Sequence, residues 1–234
     1  MLLKYFSFIC KKKGLMTTSE ENYIKVIYHL SLVSPDGVNT NAIAGTLETK
    51  ASSVTDMLKK LSEKELVAYQ KYQGVTLTQK GFHSAKMIVR KHRLWEVFLV
   101  EKLGFAWDEV HDIAEELEHI KSEALITKLD TFLNFPAFDP HGDPIPNEQG
   151  EIGKIDKLLL TDAVLNNNYI CVGVKNSSAL FLKFLDKHNI SLGSSIKVTS
   201  KEEFDSSLTM ILNSKTISIS NKIAENLFIK AITP

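Results

Sequence analysis

Lys50-Ala51-Ser52-Ser53-Val54-Thr55-Asp56-Met57-Leu58-Lys59-Lys60-Leu61-Ser62-Glu63-Lys64-Glu65-Leu66-Val67-Ala68-Tyr69-Gln70-Lys71-Tyr72-Gln73-Gly74-Val75-Thr76-Leu77-Thr78 is the stretch that decides the fold. Its first half has apolar residues at helical spacing, with Val54, Leu58 and Leu61 on one face and Thr55, Asp56, Lys59, Lys60 and Glu63 on the other. Ser52 or Ser53 can accept a hydrogen bond from a first-turn N–H, so the helix is predicted to be capped there. The period then changes from about 3.6 to 2. Val67, Tyr69 and Lys71 alternate, Gly74 makes the turn, and Val75, Leu77 and Thr78 return.

Upstream, Thr18-Ser19-Glu20-Glu21 has the spacing of a capping box, and Tyr23, Ile27 and Leu30 recur at helical intervals. A helix is predicted from about Ser19 to Val33. Ser34-Pro35-Asp36-Gly37 reads as a turn. A short helix comes next, with Thr40 as its N-cap and Ile43 and Leu47 inward. Helix, short helix, turn, helix, two-stranded ribbon is the order of a winged helix-turn-helix, whose third helix enters the major groove with the ribbon beside it. Two short helices and a hairpin also occur in domains that never meet DNA. Pattern alone leaves both readings open.

Charge narrows the choice. The 234 residues carry 28 basic and 28 acidic side chains, which as a total argues against a nucleic-acid binder. The distribution reverses this. Lys50 to Arg93 holds ten basic and three acidic residues, a net of about +7, and Leu94 to Glu123 holds nine acidic and two basic ones, a net of about −7. A basic half suits phosphates, and an acidic half containing histidines suits cations.

Composition excludes other classes. With 44% apolar and 24% charged residues and no excess of Gly, Pro or Cys, the chain is not a disordered, collagen-like or disulfide-scaffold protein. Cys10 and Cys171 have no CxxC partner, so a reducing cytoplasm is the expected location. No run reaches the roughly 18 apolar residues of a membrane span. Residues 1–15 read as a disordered extension, with Met16 an alternative start.

Downstream, a long helix is predicted from about Gln79 to Lys102 and another from Asp108 to about Glu123, with Val110, Ile113, Ala114, Leu117 and Ile120 on one stripe. Residues 134–152 are rich in Pro, Gly and Asp and read as an irregular linker. Then come β-like runs at Tyr169–Val174, Ser195–Val198, Thr209–Leu212 and Thr216–Ile219, with a helical run from Ala179 to His188. The expected architecture is mainly α with a β domain. A winged helix-turn-helix spans 16–80, a helical metal-binding and dimerisation domain with its linker 81–150, and a small β-barrel 151–234.

The acidic half holds a constellation. His111, Glu115, Glu118 and His119 lie at i, i+4, i+7 and i+8, on a face beside the apolar stripe, and His92 and Glu96 are four apart on the preceding helix. Glu115 and Glu118 repel each other unless a positive charge sits between them. Imidazole and carboxylate without sulfur suit manganese or ferrous iron better than copper(I) or structural zinc. The plain alternative is a solvated, Glu-rich helix face.

These residues resemble the diphtheria toxin repressor family of metal-dependent regulators. The resemblance rests on Tyr23-Ile24 with Ile27-Tyr28, Ala51-Ser52-Ser53-Val54-Thr55, Lys71-Tyr72, Leu77-Thr78-Gln79-Lys80-Gly81 and Arg90-Lys91-His92-Arg93-Leu94 with Glu96. It continues through Val110-His111-Asp112, Ala114-Glu115-Glu116-Leu117-Glu118-His119 and Pro140-His141-Gly142-Asp143-Pro144-Ile145-Pro146. The ordered set runs from Thr17 to about Gly150. More loosely, Leu182, Leu185, Ile190, Leu192-Gly193 and Ile196 resemble the SH3-like, FeoA-type module of longer members.

The resemblance implies a primary metal site at Asn22, Glu115, Glu118 and His119, and an ancillary site at His92, Glu96 and His111. Glu115 stands where iron-sensing members have sulfur and manganese-sensing members Glu, which points to Mn(2+), with Fe(2+) the alternative. Asn22 and Lys25 depart from the carboxylates of manganese members. Asn176, Ser177 and Ser178 stand where third-domain ligands of the ancillary site would come. The function implied is that of a metal-activated repressor of metal-homeostasis genes, a homodimer joined through the helices around Asp108 to Leu133. Its metal would tie the DNA-binding unit to the dimer core. On a pseudo-palindromic operator in double-stranded DNA, Ser52, Ser53, Thr55 and Asp56 would lie near base edges, and Lys50, Lys59, Lys60, Lys71 and Tyr72 near phosphates. Two rival classes are a winged-helix regulator with an organic effector and a di-iron carboxylate enzyme. The second would need another Glu-x-x-His beside that of Glu116 to His119, and the sequence has none.

Overall fold

A computed structural model describes residues 15–70 and 74–232. The extension expected at 1–15 lies, but for Leu15, outside the described residues. The chain forms two compact units, one of residues up to Arg90 with Glu148–Gly150, the other of Lys91–Asn147 and everything from Glu151 on.

The first unit opens with α1 (Thr18–Ser31), capped one residue earlier than expected. Thr17 Oγ1 accepts from the Glu20 N–H at 3.2 Å while the Thr17 N–H donates to Glu20 Oε2 at 2.8 Å. Thr18 and Glu21 have the same spacing, but Lys64 Nζ lies 2.7 Å from the Glu20 carboxylate and favours that register. α2 (Thr40–Thr46) is capped by Asn39 rather than Thr40, its side chain accepting from the Asn41 N–H at 2.8 Å. α3 (Ala51–Glu63) starts before either serine and has no side-chain cap. The chain has already turned at Glu48, whose φ is 49°, so Ser52 and Ser53 fall inside the first turn.

β1 (Val67–Gln70) and β2 (Gly74–Leu77) form the antiparallel ribbon, with Val67 opposite Leu77 and Gln70 opposite Gly74. Val38 bridges to Val75 on the other side. Ile24, Ile27, Ile43, Val54, Leu58, Leu61 and Val75 are all fully buried, the single core this helix-helix-helix-ribbon order was expected to share.

α4 (Gln79–Leu103) begins in the first unit and ends in the second, close to its expected bounds. The predicted helix from Asp108 to Glu123 is instead two, α5 (Val110–Leu117) and α6 (Glu123–Phe132). Ser122 is the reason. Its side chain accepts from the Leu125 N–H at 3.3 Å and starts a new helix, leaving Glu118 and His119 in the turn between. Leu94, Val97, Leu99, Val110, Ala114 and Ile126 form the core of this part.

The last part is a six-stranded antiparallel sheet in the order β3-β8-β4-β5-β6-β7. The strands are β3 (Leu158–Leu159), β4 (Tyr169–Val174), β5 (Ser195–Lys201), β6 (Leu208–Leu212), β7 (Lys215–Ile219) and β8 (Leu227–Ala231). α7 (Ala179–Lys187) and α8 (Asn221–Ala224) complete it, and Leu182, Leu185, Ile196, Met210 and Ile229 are fully buried at its centre. The mainly α fold with a C-terminal β domain is as expected. β3, β8 and α8 carry no pattern that the sequence made legible. No helix among the described residues is long and apolar enough to cross a membrane.

Candidate functional site

Four residues per near-turn place His92 and Glu96 on one face of α4, both buried. Glu96 Oε1 lies 3.0 Å from His92 Nε2, 3.6 Å from His111 Nδ1 of α5 and 3.7 Å from His141 Nδ1 of the linker. The other imidazole nitrogen, His92 Nδ1, lies 2.7 Å from Glu118 Oε2. One ring thus bridges two buried carboxylates. Glu115 stands half-exposed beside them, its Oε1 3.9 Å from His111 Nε2, and His119 Nε2 is 3.9 Å from Glu118 Oε1.

Among the described residues, three groups that could hold a metal ion bring their donor atoms within 4.8 Å of one another: His92, Glu96 and His111; His92, Glu115 and Glu118; and Glu96, Asp139 and His141. The first is the ancillary set that the resemblance implied; the second joins His92 of that set to Glu115 and Glu118 of the implied primary set. Asp139 and His141 were missed as members of the cluster, because an irregular linker has no period to place them. The available signal was an Asp and a His two residues apart in a Pro/Gly segment.

That segment is tightly held. Asp139 Oδ1 accepts from the His141 and Asp143 N–H groups, both at 2.9 Å, and Oδ2 lies 3.3 Å from Arg93 Nε. Gly142 has φ +84°, and a Cβ there would meet Val172 O of β4 at 2.1 Å. Only glycine fits this position.

The electrostatics are those of buried carboxylates held against imidazoles. Burial alone would raise the Glu96 carboxyl, yet the imidazoles of His111, His141 and His92 beside it hold it well below the usual carboxylate range. Burial works against a charged His141, but the nearby Glu96 carboxylate, with Asp139 and the Trp107 carbonyl, pushes it up to about 8. Burial and the charges of Glu96 and Asp143 push Asp139 up to about 7, against the pull of Arg93. Buried carboxylates here lean on neighbouring imidazoles, a role a divalent ion can take over. Imidazole and carboxylate donors without sulfur fit a borderline-hard ion.

Asn22 lies on α1 in the first unit; its Oδ1 is buried with no hydrogen-bond partner among the described residues. An amide oxygen so placed fits a ligand role.

On the opposite chemistry, α3 exposes Ser52, Ser53, Asp56, Lys59 and Lys60, with Lys50 exposed just before it. Thr55 is half-buried and its hydroxyl donates to Ala51 O at 3.0 Å. Lys59 Nζ is 3.2 Å from Asp56 Oδ1. Lys71 and Tyr72 lie outside the described residues.

Three family models match in order: the N-terminal DNA-binding domain of the iron-dependent repressors over residues 15–75, their metal-binding and dimerisation domain over 78–147, and the FeoA domain over 158–231. An uncharacterised HTH-type transcriptional regulator of Methanocaldococcus jannaschii is 37% identical over 118 residues, 50% of this chain and 94% of that protein. The HTH-type transcriptional regulator MntR of Oceanobacillus iheyensis is 36% identical over 119 residues, 51% of this chain and 80% of that protein. A solved manganese-dependent transcriptional repressor in complex with manganese superposes with a TM-score of 0.79 at 31% identity, covering 91% of this chain and all of that one. The chain belongs to the iron-dependent repressor family, that of the diphtheria toxin repressor, with a FeoA domain following the dimerisation domain.

Proposed function

We propose that this chain is a divalent-metal-activated transcriptional repressor, a cytoplasmic homodimer that binds a pseudo-palindromic operator and controls metal-homeostasis genes. The observation that carries the reading is the buried His92 ring held between Glu96 and Glu118, in a chain whose third helix presents an exposed polar and basic face. Neither feature alone separates a regulator from a folded acidic helix; together they pair a cation site with a phosphate-facing surface.

Glu115, Glu118, His119 and Asn22 are the proposed primary ligands, and His92, Glu96 and His111, with Asp139 and His141, the second set. Mn(2+) is the proposed ion and Fe(2+) the alternative, since the donors are oxygen and imidazole nitrogen only. A bound divalent ion would supply positive charge to set against the carboxylates of Glu96, Glu115 and Glu118. It raises operator affinity only by as much as it prefers the DNA-competent state.

On the DNA side, Ser52, Ser53, Thr55 and Asp56 are proposed to face base edges, and Lys50, Lys59, Lys60, Lys71 and Tyr72 phosphates. The proposed dimer face is on and beside α6, where Leu125, Phe132 and Phe135 are exposed, Phe132 and Phe135 by more than 60%. The test is duplex selection from a random pool with Mn(II), followed by anisotropy titrations of the recovered site with Mn(II), Fe(II), Zn(II) or no metal. Tight binding with Mn(II) or Fe(II) and weak binding without metal are expected. Equal binding in all four would overturn the reading in favour of an unregulated or organic-effector regulator.

A further inference from the structure

Asn176, Ser177 and Ser178 of the third domain are neutral, yet the same domain touches the histidine and carboxylate cluster by another route. His141 Nε2 lies 2.9 Å from the backbone oxygen of Trp107. A carbonyl can only accept, so Nε2 carries the proton and Nδ1 is the nitrogen turned to Glu96, 3.7 Å away. The Trp107 indole stacks on the His141 ring, with centroids 6.1 Å apart and planes within 17°. Its Nε1–H donates to Asp186 of α7, 3.0 Å from each carboxylate oxygen. Beside it Lys183 Nζ, also of α7, is 3.3 Å from Asp108 Oδ2. Trp107 itself packs against the hydrophobic core of the β domain. The same histidine is tied to the sheet through its backbone, where Val174 N–H donates to His141 O at 2.9 Å.

We infer that Trp107 is a positioning residue for His141 and that Asp186 latches it from the third domain, so that this domain tunes cation binding at Glu96, Asp139 and His141 without ligating. The inference rests on the reading of those three residues as a cation site. Its physical basis is that the outer hydrogen bond of a ligand histidine sets both tautomer and ring orientation, and loss of such a partner typically weakens metal binding about 10- to 100-fold. Asp186 is the lever because it fixes the indole whose backbone and ring fix the imidazole.

The chain has two tryptophans and six tyrosines, so in a Trp95→Phe background Trp107 is the sole tryptophan, excited selectively at the red edge of tyrosine absorption, and Mn(II), a paramagnetic quencher, reports binding beside it. Half-quenching is expected at a Mn(II) concentration about tenfold higher in Asp186→Ala than in the background protein, and within about twofold of it in Asp186→Asn, whose amide oxygen still accepts the indole N–H. Circular dichroism melts of the full-length variants control for folding. If Asp186→Ala leaves half-quenching unchanged while Glu96→Gln abolishes it, the site stands and the latch is wrong. If the background protein shows no quenching, or quenching that Glu96→Gln does not alter, the cation-site reading of these residues falls and the inference with it.

Discussion

At the residue scale, a few side chains have surroundings that leave little choice of chemistry. Gly142 is one, since its φ of +84° and the approach of Val172 O exclude a Cβ. Gly142→Ala is expected to destabilise the second unit by at least about 2 kcal/mol and to lower the Tm measured by calorimetry. Glu20 is another. Its burial would raise the carboxyl, but the hydrogen bond and charge of Lys64 and the bond to Thr17 lower it below the usual value. A lowered acid contributes stability above its unfolded pKa and loses it as pH falls through the folded one. Lys64→Met should therefore lower the Tm at pH 7, with the gap to the parent closing as both are taken to about pH 3. Cys171 goes the other way: burial pushes its thiol up to about 11. In a Cys10→Ser chain it should resist a disulfide reagent at about pH 8 until the protein is unfolded, and fast native-state labelling would contradict the packing described.

At the element scale, legibility followed periodicity. The apolar face of α3 and the alternation of β1 and β2 were readable because each element buries one side against one core. The caps of α1 and α2 were misplaced by a residue because neighbouring Thr, Ser and Asn offer equivalent acceptors, and a contact distant in sequence, Lys64 with Glu20, favours one of them in α1; the serine cap expected for α3 is absent. β8 went unseen because its strand lies between β3 and β4, chosen by pairing that no local pattern reveals. In the candidate site, the i, i+4 pairs on α4 and α5 were legible and the linker's Asp139 and His141 were not, since an Asx-turn brings them in rather than a repeat. The exposed lysines of α3 carry their own prediction. Lys59→Ala should weaken all operator sequences about equally and reduce the slope of log K against log salt by about 0.9, if it neutralises one phosphate. A change confined to one base position would make Lys59 a base reader instead.

At the scale of the whole molecule, the zero net charge is a sum of opposites: a basic stretch from Lys50 to Arg93 and an acidic one from Leu94 to Glu123. Cations collected by the acidic stretch move the total positive, in the direction that favours a polyanion. Because binding free energies are reciprocal, operator DNA must tighten metal binding by the factor that metal tightens DNA binding. The most direct test is one titration series: anisotropy of a labelled operator against the parent protein and Glu118→Ala, each over a range of Mn(II). Parent affinity is predicted to rise at least about tenfold with Mn(II), while Glu118→Ala, still folded by circular dichroism, stays at the metal-free level. Metal-independent DNA binding that survives Glu118→Ala would contradict metal activation.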